Sequence, residues 1–232
     1  MARPPGACAI AVAALTGAAV PVAAAQAIPL AGAHLAAYDA TYAISGVVTG
    51  RETWQVRAGA RGTTDVTLET AAGPARETDR LVLAARGLAL RSVHETLRAP
   101  GLVATITARA SGGRLSETAV VNGRVEHAEF PIAPTTYANV ALLPTLAGLS
   151  LRPGERAVVH DVVLKHAGVV PIGLAVADGG RVRTPAGTFR CLAVTLASSA
   201  GSQTAWVSTG PEPVLVRYRN PQTTFTLTSL QR

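Results

Sequence analysis

From Tyr38 to Leu230 the chain alternates apolar and polar residues with a period of two, and that alternation restricts it to strands with one dry face and one wet face. In the run from Tyr38 to Ser45, residues Tyr38, Ala40, Tyr42 and Ile44 share one side while Asp39, Thr41 and Ser45 share the other. Trp54 and Val56 alternate with Thr53, Gln55 and Arg57, and the turn around Gly46 to Gly50 allows this run to pair with the first. The pattern continues through Val66 and Leu68, Leu81 and Leu83, Leu88 to Leu97, Leu102 to Thr107, Leu115 to Val121 and Val125 to Phe130. Asn122-Gly123 joins the last two, because both residues tolerate the positive φ of a tight hairpin turn. A meander of about eight strands is expected over residues 36–130.

The period breaks between Phe130 and Pro153. Thr135 or Thr136 can cap a short helix near residues 136–147 carrying Tyr137, Val140, Ala141 and Leu142, which Pro144 then ends or kinks. This segment, 134–150, is too apolar for a solvated linker and is expected to cover part of the sheet. Alternation resumes at Val158 to Lys165, Val169 to Val176, Val182 to Thr184, Phe189 to Leu196, Thr204 to Ser208, Val214 to Arg219 and Thr224 to Leu230, a second meander over 156–230. The expected fold is all-β and mainly antiparallel: a large curved sheet, half-barrel or sandwich with one short helix, in a single domain over residues 28–232.

Residues 1–27 read as a secretory signal. Arg3 supplies a weak basic end, Cys8 to Val20 is a small-residue apolar run, and Pro21 precedes Ala25-Gln26-Ala27, which has the small-x-small pattern of a cleavage site after Ala27 or, alternatively, Ala25. A retained anchor is the other reading, and the only route to the membrane. A periplasmic or secreted location is expected. After cleavage Cys191 is the remaining cysteine, which excludes a disulfide framework; its place between Phe189 and Ala193 suits a small packed residue.

The net charge of +7 comes almost wholly from Arg residues spread singly among the strands, with Lys165 the one lysine, so nucleic-acid binding is not expected. His160, Asp161 and His166 form a tempting metal cluster. Consecutive strand residues point to opposite faces, however, and His160 and His166 would stand about 20 Å apart on a continuous strand, so neither a metal nor a cofactor is expected. Asp65, Glu69, Asp79 and Glu95 are available as paired carboxylates, but as strand residues they are expected on the polar face. There is no Gly-x-Ser-x-Gly elbow, and 4% aromatic content leaves few stacking platforms. Core packing is the expected role of Trp54 and Trp206.

Three segments carry a resemblance: Pro134 to Leu149 followed by Arg152-Pro153-Gly154; Thr184-Pro185-Ala186-Gly187-Thr188-Phe189; and Ala205-Trp206 with Pro213 to Tyr218. Together they resemble an exported bacterial family, domain of unknown function 3108, and the closing strands are similar to those of periplasmic lipoprotein carriers, which wrap a half-barrel around a helix. The resemblance implies a non-catalytic envelope protein that shelters an apolar or lipid-like ligand between sheet and cover. Tyr137, Leu142 and Leu143 of the cover and Trp206 and Tyr218 of the sheet are its candidate contacts. A structural module docking an envelope protein partner is the alternative, and an unrecognised hydrolase a third reading.

Overall fold

In a computed structural model, residues 32–133, 136–164, 168–199 and 201–232 are described; the signal-like segment 1–27 and His166 lie outside them. Hairpins build the first half: β1 (Tyr38–Gly46), β2 (Gly50–Ala58), β3 (Thr63–Ala72), β4 (Ala75–Ala84), β5 (Leu90–Ala99), β6 (Leu102–Ser111), β7 (Arg114–Val121) and β8 (Arg124–Pro131) each pair antiparallel with the next. The β7–β8 turn shows why the chain reverses there. Asn122 and Gly123 take φ of +48° and +82°, as a two-residue turn of this hand demands, and Asn122 Oδ1 also accepts the Val103 N–H at 2.8 Å.

The second half contains β9 (Thr136–Ala138), α1 (Asn139–Gly148), β10 (Arg156–Val163), β11 (Gly168–Thr184), β12 (Gly187–Ser198), β13 (Gly201–Ser208), β14 (Leu215–Arg219) and β15 (Thr223–Gln231). The two runs expected at Val169–Val176 and Val182–Thr184 are one strand, β11. A bulge between Asp178 and Gly180 absorbs the interruption, with Gly180 at φ +65° and its N–H held by Asp178 Oδ1.

All fifteen strands form one sheet, ordered β8-β7-β6-β5-β4-β3-β2-β1-β15-β14-β13-β12-β11-β10-β9. It is open and mostly antiparallel; among the described residues only β9 runs parallel to its neighbour, β10. The two meanders are joined where β1 pairs with β15, from Asp39 opposite Gln231 to Gly46 opposite Thr223.

The helix departs from expectation in two respects. Thr136 and Tyr137 lie in β9 instead of a first helical turn, and the Thr136 hydroxyl accepts the Ala133 N–H without capping α1, whose N-cap is Ala138. Pro144 lies inside the helix and does not end it. Its missing N–H forfeits one backbone bond, but Ala141, Leu142 and Pro144 through Gly148 are all buried, and that packing outweighs the loss. A helix apolar on nearly every side belongs in an interior. α1 contacts β9, β10, β13 and β14, and one continuous apolar core runs through both halves.

Tyr42 ties the junction together. It is fully buried, packs on Trp54 with ring centroids 4.5 Å apart, and donates its hydroxyl to the Leu215 carbonyl at 2.9 Å, reaching across β15 to β14. Tyr42→Phe, which removes only that hydrogen bond, should cost about 1–2 kcal/mol in urea denaturation, and Tyr42→Ala about 3–5 kcal/mol.

Candidate functional site

Strand parity turns several acids inward. In β4, Glu77 and Asp79 share the side of Ala75, Leu81 and Leu83; in β5, Glu95 shares that of Val93 and Leu97. Register then aligns them. Asp79 stands directly opposite Glu95, and Glu77 lies in one cross-strand row with Thr70 of β3 and Glu52 of β2. Asp79 is 4% exposed and Glu95 8%, so both contradict the expectation of a polar, outward face, whereas Asp65 and Glu69 are exposed. Among the described residues, the four buried charged side chains are Asp79, Glu95, Glu117 and Asp161, every one acidic in a chain of net charge +7.

Oxygen atoms of Glu77, Asp79 and Glu95, one from each, all lie within 4.8 Å of one another. Asp79 Oδ1 is sealed from solvent and has no hydrogen-bond partner. Burial above all, then the charges of Glu77, Glu95 and Glu52, pushes the Asp79 carboxyl well above the usual carboxylate range. Burial likewise raises the Glu52 carboxyl, although the Trp54 indole N–H and the Thr70 hydroxyl both donate to it and oppose the rise.

Above these acids is a cavity of about 80 Å³. Glu52, Glu77, Asp79 and Thr70 form one wall, while Trp54, Leu68 and Phe225 add apolar surface from the sheet. The first turns of α1 close it with Asn139, Val140, Leu143 and Pro144. Asn139 Oδ1 is a second buried oxygen without a partner. The helix begins without a side-chain cap or an acidic residue in its first turn, so its positive end favours the carboxylates. That effect is worth about 0.3–2 kcal/mol, too little to hold three clustered carboxylates ionised.

Of the five contacts expected from sequence, Leu143 and Tyr218 line this cavity. Tyr218 donates its hydroxyl to Gln203 Oε1 at 2.5 Å and meets Phe225 edge-on. Leu142 is buried in the packing of α1, and Trp206 is half-buried between the buried Ala205 and Val207, cross-strand from Arg217 and away from the cavity lining. Tyr137 is fully buried beside Asp161 on the β9–β10 ladder, its hydroxyl without a partner. The tryptophan at the cavity is Trp54. Cys191 is fully buried, and burial pushes its thiol up to about 11, partly offset by Arg217.

His160 is half-exposed and Asp161 is 2% exposed, in the alternation expected of neighbouring strand residues. Burial raises the Asp161 carboxyl to about 7, and its Oδ1 has no partner. A raised acid destabilises the fold on the alkaline side. Between pH 4 and 7 the unfolded chain releases this proton while the folded chain keeps it, so stability falls as pH rises. Asp161→Asn should therefore match the parent near pH 4 and exceed it by on the order of a few kcal/mol at pH 8, measured by urea denaturation at both.

No family model matches the chain, and no curated protein matches it. The resemblance to domain of unknown function 3108 thus finds no support there, and the likeness that holds is one of fold. Among solved structures, the crystal structure of a β-barrel-like protein of domain of unknown function DUF1849 from Brucella abortus superposes with a TM-score of 0.57, covering 85% of this chain and 98% of that one at 10% identity.

Proposed function

We propose that this protein is an exported, non-catalytic binding protein that holds a small, positively charged ligand in the cavity between α1 and the seam of the two meanders. The observation that carries the reading is the composition of the cavity: three carboxylates on one wall, aromatic and aliphatic surface around them, and no basic residue in the lining. Such a lining rewards a cation twice, through the carboxylates and through the faces of aromatic rings. It penalises an anion.

Size argues against the acyl chain that the carrier resemblance suggests. A cavity of about 150 Å³ takes one benzene and drug-sized ligands occupy about 300–1,000 Å³, whereas this one offers about 80 Å³. The interior that a lipid would fill is taken by α1 and its buried Leu142 and Leu146. An export signal and a periplasmic or secreted location complete the reading, and the exposed arginines serve solubility.

The test is a thermal-shift and calorimetric panel of small alkylammonium salts and metal chlorides, against a fatty acid and a neutral alcohol. Cations should raise the melting temperature of the parent, and the shift should fall at least tenfold in apparent affinity in Asp79→Asn, as expected when a directly contacting charge is removed. Binding of the fatty acid without any cation would sink the reading.

A further inference from the structure

We propose that Glu77, Asp79 and Glu95 form a binding site for a divalent cation of the calcium class, one carboxylate oxygen from each, beside the cavity under α1, which Glu77 and Asp79 line. The inference rests on the preceding reading and names its ligand.

Four observations converge. The three oxygens lie within 4.8 Å of one another, which is the width of a Ca²⁺ coordination sphere with ligands at about 2.3–2.6 Å on either side of the ion. The donors are all hard oxygens, with no imidazole or thiolate among them, and such a set selects Ca²⁺ or Mg²⁺ over zinc or copper. Asp79 is 96% buried by its 4% exposure, lines the cavity, and has an oxygen with no hydrogen-bond partner, so the fold leaves open the interaction that an ion would supply. Asn139 presents a second buried, partnerless oxygen to the same cavity from the facing wall, and an amide carbonyl is an ordinary calcium ligand.

The register strengthens the case. Like charges directly opposite each other on adjacent strands repel, yet Asp79 and Glu95 are paired in just that way on the inner face, with Glu77 two residues along. Local rules are broken at functional sites, and a bound divalent ion would turn the repulsion into shared attraction. Calcium needs six to eight oxygens, and a space of about 80 Å³ has room for the ion with two or so waters to complete the shell. Outside the cell, where the export signal would send the chain, modules of this kind bind calcium with Kd of about 0.1–1 mM.

The experiment uses chelator-stripped protein titrated with CaCl2 and, separately, with Tb³⁺, whose luminescence a neighbouring tryptophan sensitises. Saturating Ca²⁺ should raise the melting temperature by about 3–10 °C. Tb³⁺ emission should appear on Trp54 excitation, fall on adding Ca²⁺, and be lost in Trp54→Phe but kept in Trp206→Phe. Asp79→Asn and Glu95→Gln should each weaken Ca²⁺ at least about tenfold, while Asp65→Asn, on the exposed face, should not. Without metal, Asp79→Asn should melt no lower than the parent, since it replaces a buried carboxyl with a neutral group of the same shape; that readout also shows that it folds.

The inference is overturned if Ca²⁺ leaves the parent's melting temperature unchanged, or if Asp65→Asn weakens binding as much as Asp79→Asn. If alkylammonium ions bind in an Asp79-dependent way and Ca²⁺ does not, the metal site falls while the cation-binding reading stands. If no cation binds, both fall.

Discussion

The structure depends on the antiparallel ladder between its first and last strands. Among the described residues, the β1–β15 ladder is the strand pairing that joins the two meanders into one sheet, and the cavity lies across that seam, with Trp54, Leu68 and Asp79 on one side and Tyr218 and Phe225 on the other. Tyr42 shows the logic in a single side chain. It is a residue of β1 whose ring packs on β2 and whose hydroxyl is spent on β14. Without the ladder the helix, apolar on nearly all sides, would keep the strands of the second half but lose the wall that β2 to β4 set against its first turns.

Charge is partitioned as sharply as hydrophobicity. Among the described residues no arginine is buried, and ion pairs such as Arg57 with Asp39 and Arg114 with Glu129 are half-exposed and contribute little. The acids inside are few and costly. Taking a carboxylate out of water costs several kcal/mol unless something returns it, and here the neighbours are other carboxylates. Protonation is one way to meet that cost and a bound cation another; both leave the inner wall electrically quiet at the expense of pH or ligand dependence.

Most of the fold was legible because a period of two survives noise: eight strands of the first meander stand where alternation placed them. Two failures share one cause, local rules overridden by packing. Pro144 reads as ending or kinking the helix, yet burial carries the helix past it, and Thr136-Tyr137 read as a cap and first turn, yet pairing with β10 draws them into a strand. The site was the harder part, although its signal was present. Glu52 has the parity of Trp54 and Val56, Glu77 and Asp79 that of Leu81 and Leu83, and Glu95 that of Val93 and Leu97. The expectation of a polar face for Asp79 and Glu95 ran against the parity that had assigned the faces. What no sequence pattern supplied is the register that sets Asp79 against Glu95, since that depends on turn lengths and on the irregularity between Val82 and Leu83.

Joining the ends of the chain at the centre of the sheet also has a temporal meaning. Each meander is local and can zip hairpin by hairpin, but pairing Asp39 with Gln231 closes almost the whole chain into one loop, the slowest kind of contact to make. A chain emerging from a ribosome would carry its acidic wall, β2 to β4, long before Tyr218 and Phe225 arrived to face it. The cavity is therefore complete only once β14 and β15 have paired back onto β1.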